Sequence, residues 1–147
     1  MFKRILVPLD GSMHSVGAAE TAIELGRSFG ADLTLLHVTS KLELPENLKS
    51  YMKGEQLTRQ DLLAVNNAAK RVIADVKAKA EAAGIKKVKV IYREGKPARS
   101  IVAYANLARI DAIIMGSRGL SELESLLLGS VSHKVATLAK CSVMIVK

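Results

Sequence analysis

The residue types that could do chemistry gather in one stretch: Gly116-Ser117-Arg118-Gly119, then nine residues, then Gly129-Ser130. The first half follows an apolar run, Ile113-Ile114-Met115, and the second opens a segment, Val131 to Ala139, that reads as a helix. A glycine-rich turn between a strand and a helix suits phosphate. Backbone N–H groups can converge on an anion there because no Cβ blocks the approach, and the helix start adds donors and the positive end of its dipole. Ser130 is expected to act as N-cap and phosphate ligand together. The spacing is neither the dinucleotide fingerprint nor a P-loop, which needs Gly-Lys-Ser/Thr. Plain turn punctuation is the alternative account of the glycines.

The elements that must hold this stretch in place alternate along the chain. Lys3 to Leu9 reads as a strand buried on both faces, closed by Asp10-Gly11-Ser12. His14 to Phe29 has helical apolar spacing (Val16, Ala19 and Ile23, with Ala18, Ala22, Leu25 and Phe29 beside them) and Gly30 as its stop. Asp32 to Val38 is a second buried strand. Residues 39–57 carry no period and read as a surface connection, either a lid or partner surface or a plainly disordered loop. A long helix is expected from Thr58, with Thr58 and Asp61 as a capping box and Gly84 as its end. Lys87 to Arg93 alternates like a strand near a sheet edge, and Pro97 starts a helix to about Ala108, with Ile101, Val102, Ala105 and Leu107/Ala108 inward. Ile110 to Met115 and Ser142 to Val146 complete five strands. This alternation predicts one α/β domain over residues 1–147: an open, doubly wound, Rossmann-like parallel sheet with helices on both faces.

Composition narrows the class further. The chain has 147 residues, 49% of them apolar, and no apolar run near the roughly 18 residues of a membrane span. Lys3-Arg4 precedes only a short apolar run, so no secretory signal is expected. One cysteine, Cys141, cannot form an internal disulfide, and its apolar surroundings predict a buried, inert thiol. These features predict a soluble cytoplasmic protein. The formal charge of +8 is concentrated in residues 77–99, where eight basic groups face two acids. That stretch could take a polyanion, but with Tyr92 its only aromatic it fits a solvated face better, and nucleic acid is not expected.

In sheets of this kind ligands sit beyond the carboxyl ends of the strands, where the strand order reverses. For the order 3-2-1-4-5 that crevice lies between strands one and four, so Pro8 to Asp10 would face the Gly116 loop. Asp10 could then take ribose hydroxyls or a magnesium ion carried by phosphates, or simply cap the first helix through an Asx turn. His14, His37 and His133 are scattered and suggest no metal site. His37 reads as a packed histidine beside the crevice, and His133 as a residue that could approach phosphate. None of these groups is paired as a general base, so no catalytic residue is assigned.

The runs Met115-Gly116-Ser117-Arg118-Gly119-Leu120 and Leu128-Gly129-Ser130-Val131-Ser132, with Ile5 to Ser12, resemble the ATP-binding pattern of the universal stress protein family over nearly the whole chain. The resemblance implies an adenine nucleotide alpha hydrolase-like sheet with ATP, and its Mg2+, at Pro8, Asp10, Val38, Met115, Gly116, Arg118, Gly119, Gly129, Ser130, Val131 and Ser132. Val38 would meet the adenine through its backbone. It also implies a homodimer through the last strand, an uncharged edge, and a regulatory role read by a downstream protein. Two departures stand out: Cys141-Ser142 where the family often has Cys-Pro, and Glu122 and Glu124 where basic residues are frequent. A slow ATPase in the same pocket and a nucleotide-independent interaction module remain the alternatives. A response-regulator receiver is disfavoured, because strand three runs into Tyr92-Arg93-Glu94 in place of a phosphoacceptor aspartate.

Overall fold

The computed structural model describes residues 1–39, 55–119 and 128–147, with side chains in the second stretch from Ala64 onward. Its elements are β1 (Arg4–Pro8), α1 (Met13–Phe29), β2 (Asp32–Thr39), α2 (Glu55–Ala82), β3 (Val88–Glu94), α3 (Pro97–Leu107), β4 (Ala112–Gly116), α4 (Ser130–Leu138) and β5 (Ser142–Val146). The five strands are all parallel in the order β3-β2-β1-β4-β5, as the alternation and the crevice argument anticipate.

β1 lies in the middle, and its sequence shows why. Ile5, Leu6 and Val7 are all fully buried, since each pleat face is covered by helices. Ile5 and Val7 join Leu33, Leu35 and Ile114 in a core with α1 and α2, while Leu6 joins Leu36, Ile113 and Met115 in a second core with α3 and α4. Each fully buried Ile, Leu or Val contributes about 1.5–3 kcal/mol relative to exposure. α1 begins on Ser12, whose Oγ accepts the Ser15 N–H at 3.2 Å, and ends on Gly30. Gly30 takes the left-handed conformation (φ 65°) that a side chain would resist, and its N–H returns to the Gly26 carbonyl.

Several local expectations are corrected. α2 starts at Glu55, so Thr58 and Asp61 lie inside it and form no cap at its start. Good helix formers at Glu55, Gln56 and Leu57 carry the helix back toward Gly54. Of the expected loop, residues 40–54 lie outside the described residues, Thr39 belongs to β2 and 55–57 to α2. Leu107 is 79% exposed: it sits about 200° around α3 from Ala105, on the face away from the sheet. Phe29 is 45% exposed and packs edge-on against Phe2. Cys141 is partly buried, and that burial, with the Asp111 carboxylate nearby, pushes its thiol pKa up. No described helix is long and apolar enough to cross a membrane.

Candidate functional site

The site begins where two neighbouring strands part. β1 pairs with β2 over five residues but with β4 over only two, Ile5↔Ala112 and Leu6↔Ile113. Leu9 donates its N–H to Leu36 O on β2 at 2.8 Å. Backbone direction alternates along a strand, so the ladder donor that Pro8 lacks is the one that would have faced β4. Proline therefore ends the β1–β4 ladder, and a cavity of about 340 Å3 opens beyond it. All eleven residues singled out from the sequence line this cavity: Pro8 and Asp10 at and after the end of β1, Val38 on β2, Met115 to Gly119 (without Ser117) at and after the end of β4, and Gly129 to Ser132 at α4.

The glycines of the loop serve different ends. A Cβ on Gly116 would lie 2.7 Å from the carbonyl carbon and 2.8 Å from the oxygen of His14, so Gly116 lets β4 pass the first turn of α1. That role is architectural. A Cβ on Gly119 would lie 2.7 Å from Asp10 Oδ2, so Gly119 brings the loop against the carboxylate across the crevice. The two halves of the glycine stretch are tied by Ser117, a buried residue the sequence reading did not assign to the site. Its carbonyl accepts the Gly129 N–H at 2.6 Å and the Ser132 hydroxyl at 2.9 Å, and its own N–H bonds Val146 O. Ser132 Oγ also lies 3.0 Å from Gly129 O, so its single proton serves one carbonyl at a time.

Two expectations change here. Gly129, not Ser130, is the N-cap of α4: it is extended (φ −68°, ψ 162°), and Ser130 is the first helical residue. The helix therefore starts one residue earlier than a Ser130 cap would require, with Gly129 held by its N–H bond to the Ser117 carbonyl. Gly129 N–H and Ser132 Oγ are also engaged in closing the loop, so the backbone donors that face the crevice are left to their neighbours. Ser130 is exposed and Arg118 is the only lysine or arginine among the described lining residues. Leu120, Glu122 and Glu124 lie outside the described residues.

Asp10 makes the Asx turn expected of it, and its second carboxylate oxygen lies at the crevice. Its Oδ1 accepts the Ser12 N–H at 2.9 Å, an Asx turn leading into α1, while Oδ2 faces Gly119. Behind it, His37 is 5% exposed and donates from Nδ1 to Leu9 O at 2.7 Å, which fixes its tautomer and braces the turn that carries Asp10. Its Nε2 is buried with no hydrogen-bond partner. His14 is exposed, and His133 lines a separate groove outside this cavity.

Much of the remaining lining is apolar, with Leu36, Val38, Ile101, Met115 and Val131 on the α3 side and Val65 from α2 on the other, beside the polar Ser15, Thr39 and Asn66. Val65 is 48% exposed and faces the crevice, not the core. Nothing in local spacing marks Val65, Asn66 or Ile101 as lining residues, because only the packing of α2 and α3 brings them there. Val38 is informative through its backbone. Leu36 C=O bonds toward β1 and Thr39 C=O accepts Gly95 N–H on the β3 side, so Val38 N–H and C=O point toward β1 just past the place where β1 turns away. The arrangement thus offers an apolar slot with main-chain hydrogen-bonding groups at one end, a carboxylate in the middle and a helix start with an arginine at the other.

Comparison with known proteins agrees with this geometry. The model of the universal stress protein family matches residues 1–147. The chain is 34% identical to the universal stress protein YxiE of Bacillus subtilis (strain 168), with all of both chains covered. Its fold superposes on universal stress protein UspA from Lactobacillus plantarum with a TM-score of 0.85 at 24% identity, covering 99% of this chain and 98% of that one. A universal stress protein crystallised in complex with cAMP superposes with a TM-score of 0.74 at 24% identity, covering 99% of this chain and 97% of that one. A glycine-bridged crevice between β1 and β4, set in a sheet of this order and matched along its whole length, places the chain in the universal stress protein family.

Proposed function

We propose that this protein binds ATP in the crevice between β1 and β4 and works as a nucleotide-responsive regulatory dimer. The observation that carries the reading is the approach of Gly119 to Asp10, where a Cβ would come within 2.7 Å of the carboxylate. The adenine would lie in the slot of Leu36, Ile101 and Met115, hydrogen-bonded by Val38 N–H and C=O. Asp10 Oδ2 would accept from ribose hydroxyls. The phosphates would meet Gly119, Arg118 and the first turn of α4. Asp10 is a single carboxylate, and no three metal-ligating side chains converge among the described residues, so Mg2+ would be held chiefly by the phosphates. The cAMP complex of a relative supports an adenine nucleotide as the ligand class.

The dimer reading rests on the two sheet edges. β3 carries Lys89 and Arg93, charges that discourage pairing, whereas β5 reads Ser-Val-Met-Ile-Val with Met144 41% exposed. A second copy would pair along β5, and light scattering at micromolar concentration should give twice the chain mass; a monomeric mass removes this part.

The decisive experiment is calorimetric titration of MgATP into nucleotide-free protein and into Gly119→Val. Saturable binding to the first, weakened at least about tenfold in the second, is expected, because the valine must displace the Asp10 carboxylate and occupy the crevice mouth. No saturable heat at millimolar MgATP in the parent protein would sink the reading.

A further inference from the structure

Beside the crevice lies a second groove of about 600 Å3, between the starts of α3 and α4. It shares Pro97, Ser130 and Val131 with the crevice but differs from it in charge. Lys96, Arg99 and Lys134 line it together with His133, and none of its described lining residues is acidic. All four side chains are exposed and none makes an ion pair with a described residue. Part of the basic 77–99 stretch ends here. β3 separates Lys77 to Lys87 at one end of the sheet from Lys96 and Arg99 at the other, so the stretch is two patches and only this one lies in a groove.

The placement of these cations runs against helix electrostatics. Lys96 is the N-cap of α3 and makes no side-chain cap, Arg99 stands in its first turn, and neither α3 nor α4 has an acid in the first turn. Lys96 and Arg99 at the positive end of α3 repel its dipole unless an anion lies beside them, and Lys134, midway along α4, adds a third cation to the same groove. Such a local conflict is expected at a functional site.

We infer that this groove binds a linear oligophosphate at a site distinct from the nucleotide crevice. Several positive groups lining one groove suit a compact chain of phosphates, with bidentate contacts from Arg99 and point-charge contacts from Lys96 and Lys134. No Phe, Tyr or Trp is among its described lining residues, which offer no platform for a base and do not suit a polynucleotide. Thr137 adds a hydroxyl at the far end.

The test is calorimetric titration of inorganic tripolyphosphate into the whole protein, into Gly119→Val and into the double variant Arg99→Gln/Lys134→Gln. Because both replaced side chains are exposed and without described ion pairs, the double variant should keep the parent's circular dichroism and Tm. Saturable binding is expected in the parent protein, unchanged within about twofold in Gly119→Val and weakened about tenfold in the double variant. MgATP titrated into the same double variant reads the crevice separately, so failure of the nucleotide reading and failure of this one are distinguished. Absence of saturable tripolyphosphate binding overturns the inference. Loss of binding in Gly119→Val would place the anion in the crevice, and an unaffected double variant would place it elsewhere; either result also overturns it. Sulfate that competes equally well at matched ionic strength would reduce the groove to screened surface charge and reject the site.

Discussion

The two ends of the sheet meet the same pair of strands and treat them in opposite ways. At the amino end β1 and β4 are stitched together: Asp111 Oδ2 accepts the N–H groups of Lys3 at 2.9 Å and Arg4 at 2.8 Å, and Asp111 N–H returns to Arg4 O. Arg4 Nη1 adds a bond to Ala108 O. At the carboxyl end Pro8 withholds a ladder donor, the strands separate after Leu6↔Ile113, and the loops cross the gap through Asp10, Ser117 and two glycines. The closed end fixes the register, so the open end can hold its polar groups in place without filling the crevice. Rigidity and access are thus separated along one pair of strands.

That division can be broken from either side. The largest effect is expected for Gly116→Ala. Its Cβ would meet His14 backbone, which cannot rotate away, and overpacking of this kind costs about 3 kcal/mol. Urea denaturation should show a matching fall in midpoint; a loss under about 1 kcal/mol would mean that α1 moves freely off β4, contrary to the role given to Gly116. Asp111→Ala comes next. Two backbone donors lose a charged acceptor, which costs about 2 kcal/mol, and the closed end should fray, with Lys3 and Arg4 amides losing hydrogen-exchange protection. If those amides stay protected, the Asp111 clasp is not what closes that end. Gly119→Val should be the mildest for stability, about 1 kcal/mol, since it meets a side-chain oxygen and can dislodge the Asx turn without moving backbone. The same substitution that barely moves the midpoint is the one expected to abolish tight MgATP binding. A large stability loss there would erase the distinction between the two glycines.

Much of this was legible in the chain itself. The near-continuous apolar runs at Ile5 to Val7 and Ile113 to Met115 identify strands covered on both sides, and Lys89 and Arg93 mark β3 as an edge. The glycine spacing and Asp10 point to one place, and the lining residues singled out from them do meet in one cavity. Less accessible were features that depend on which carbonyl is nearest. Ser130 looks like a better cap than Gly129, yet the Ser117 carbonyl captures Gly129 N–H and shifts the helix start. His133 follows the motif in sequence but turns to the second groove with Lys134, because α4 rotates it away from the crevice. The strand read at Lys87 to Arg93 divides the long basic run, but which part of that run lines a groove depends on how α3 and α4 pack.

The sequence by itself determined the alternation of strands and helices, the two-sided burial of β1 and the presence of a phosphate-suited loop, because periodicity, turn residues and glycine spacing are local properties of the chain. Tertiary structure decided which glycine clears backbone and which approaches a carboxylate, that Pro8 opens β1 from β4, and that Lys96 and Arg99 meet His133 and Lys134 across a groove. These depend on contacts between elements far apart in sequence, and the distances that set them exist only once the sheet has brought those elements together.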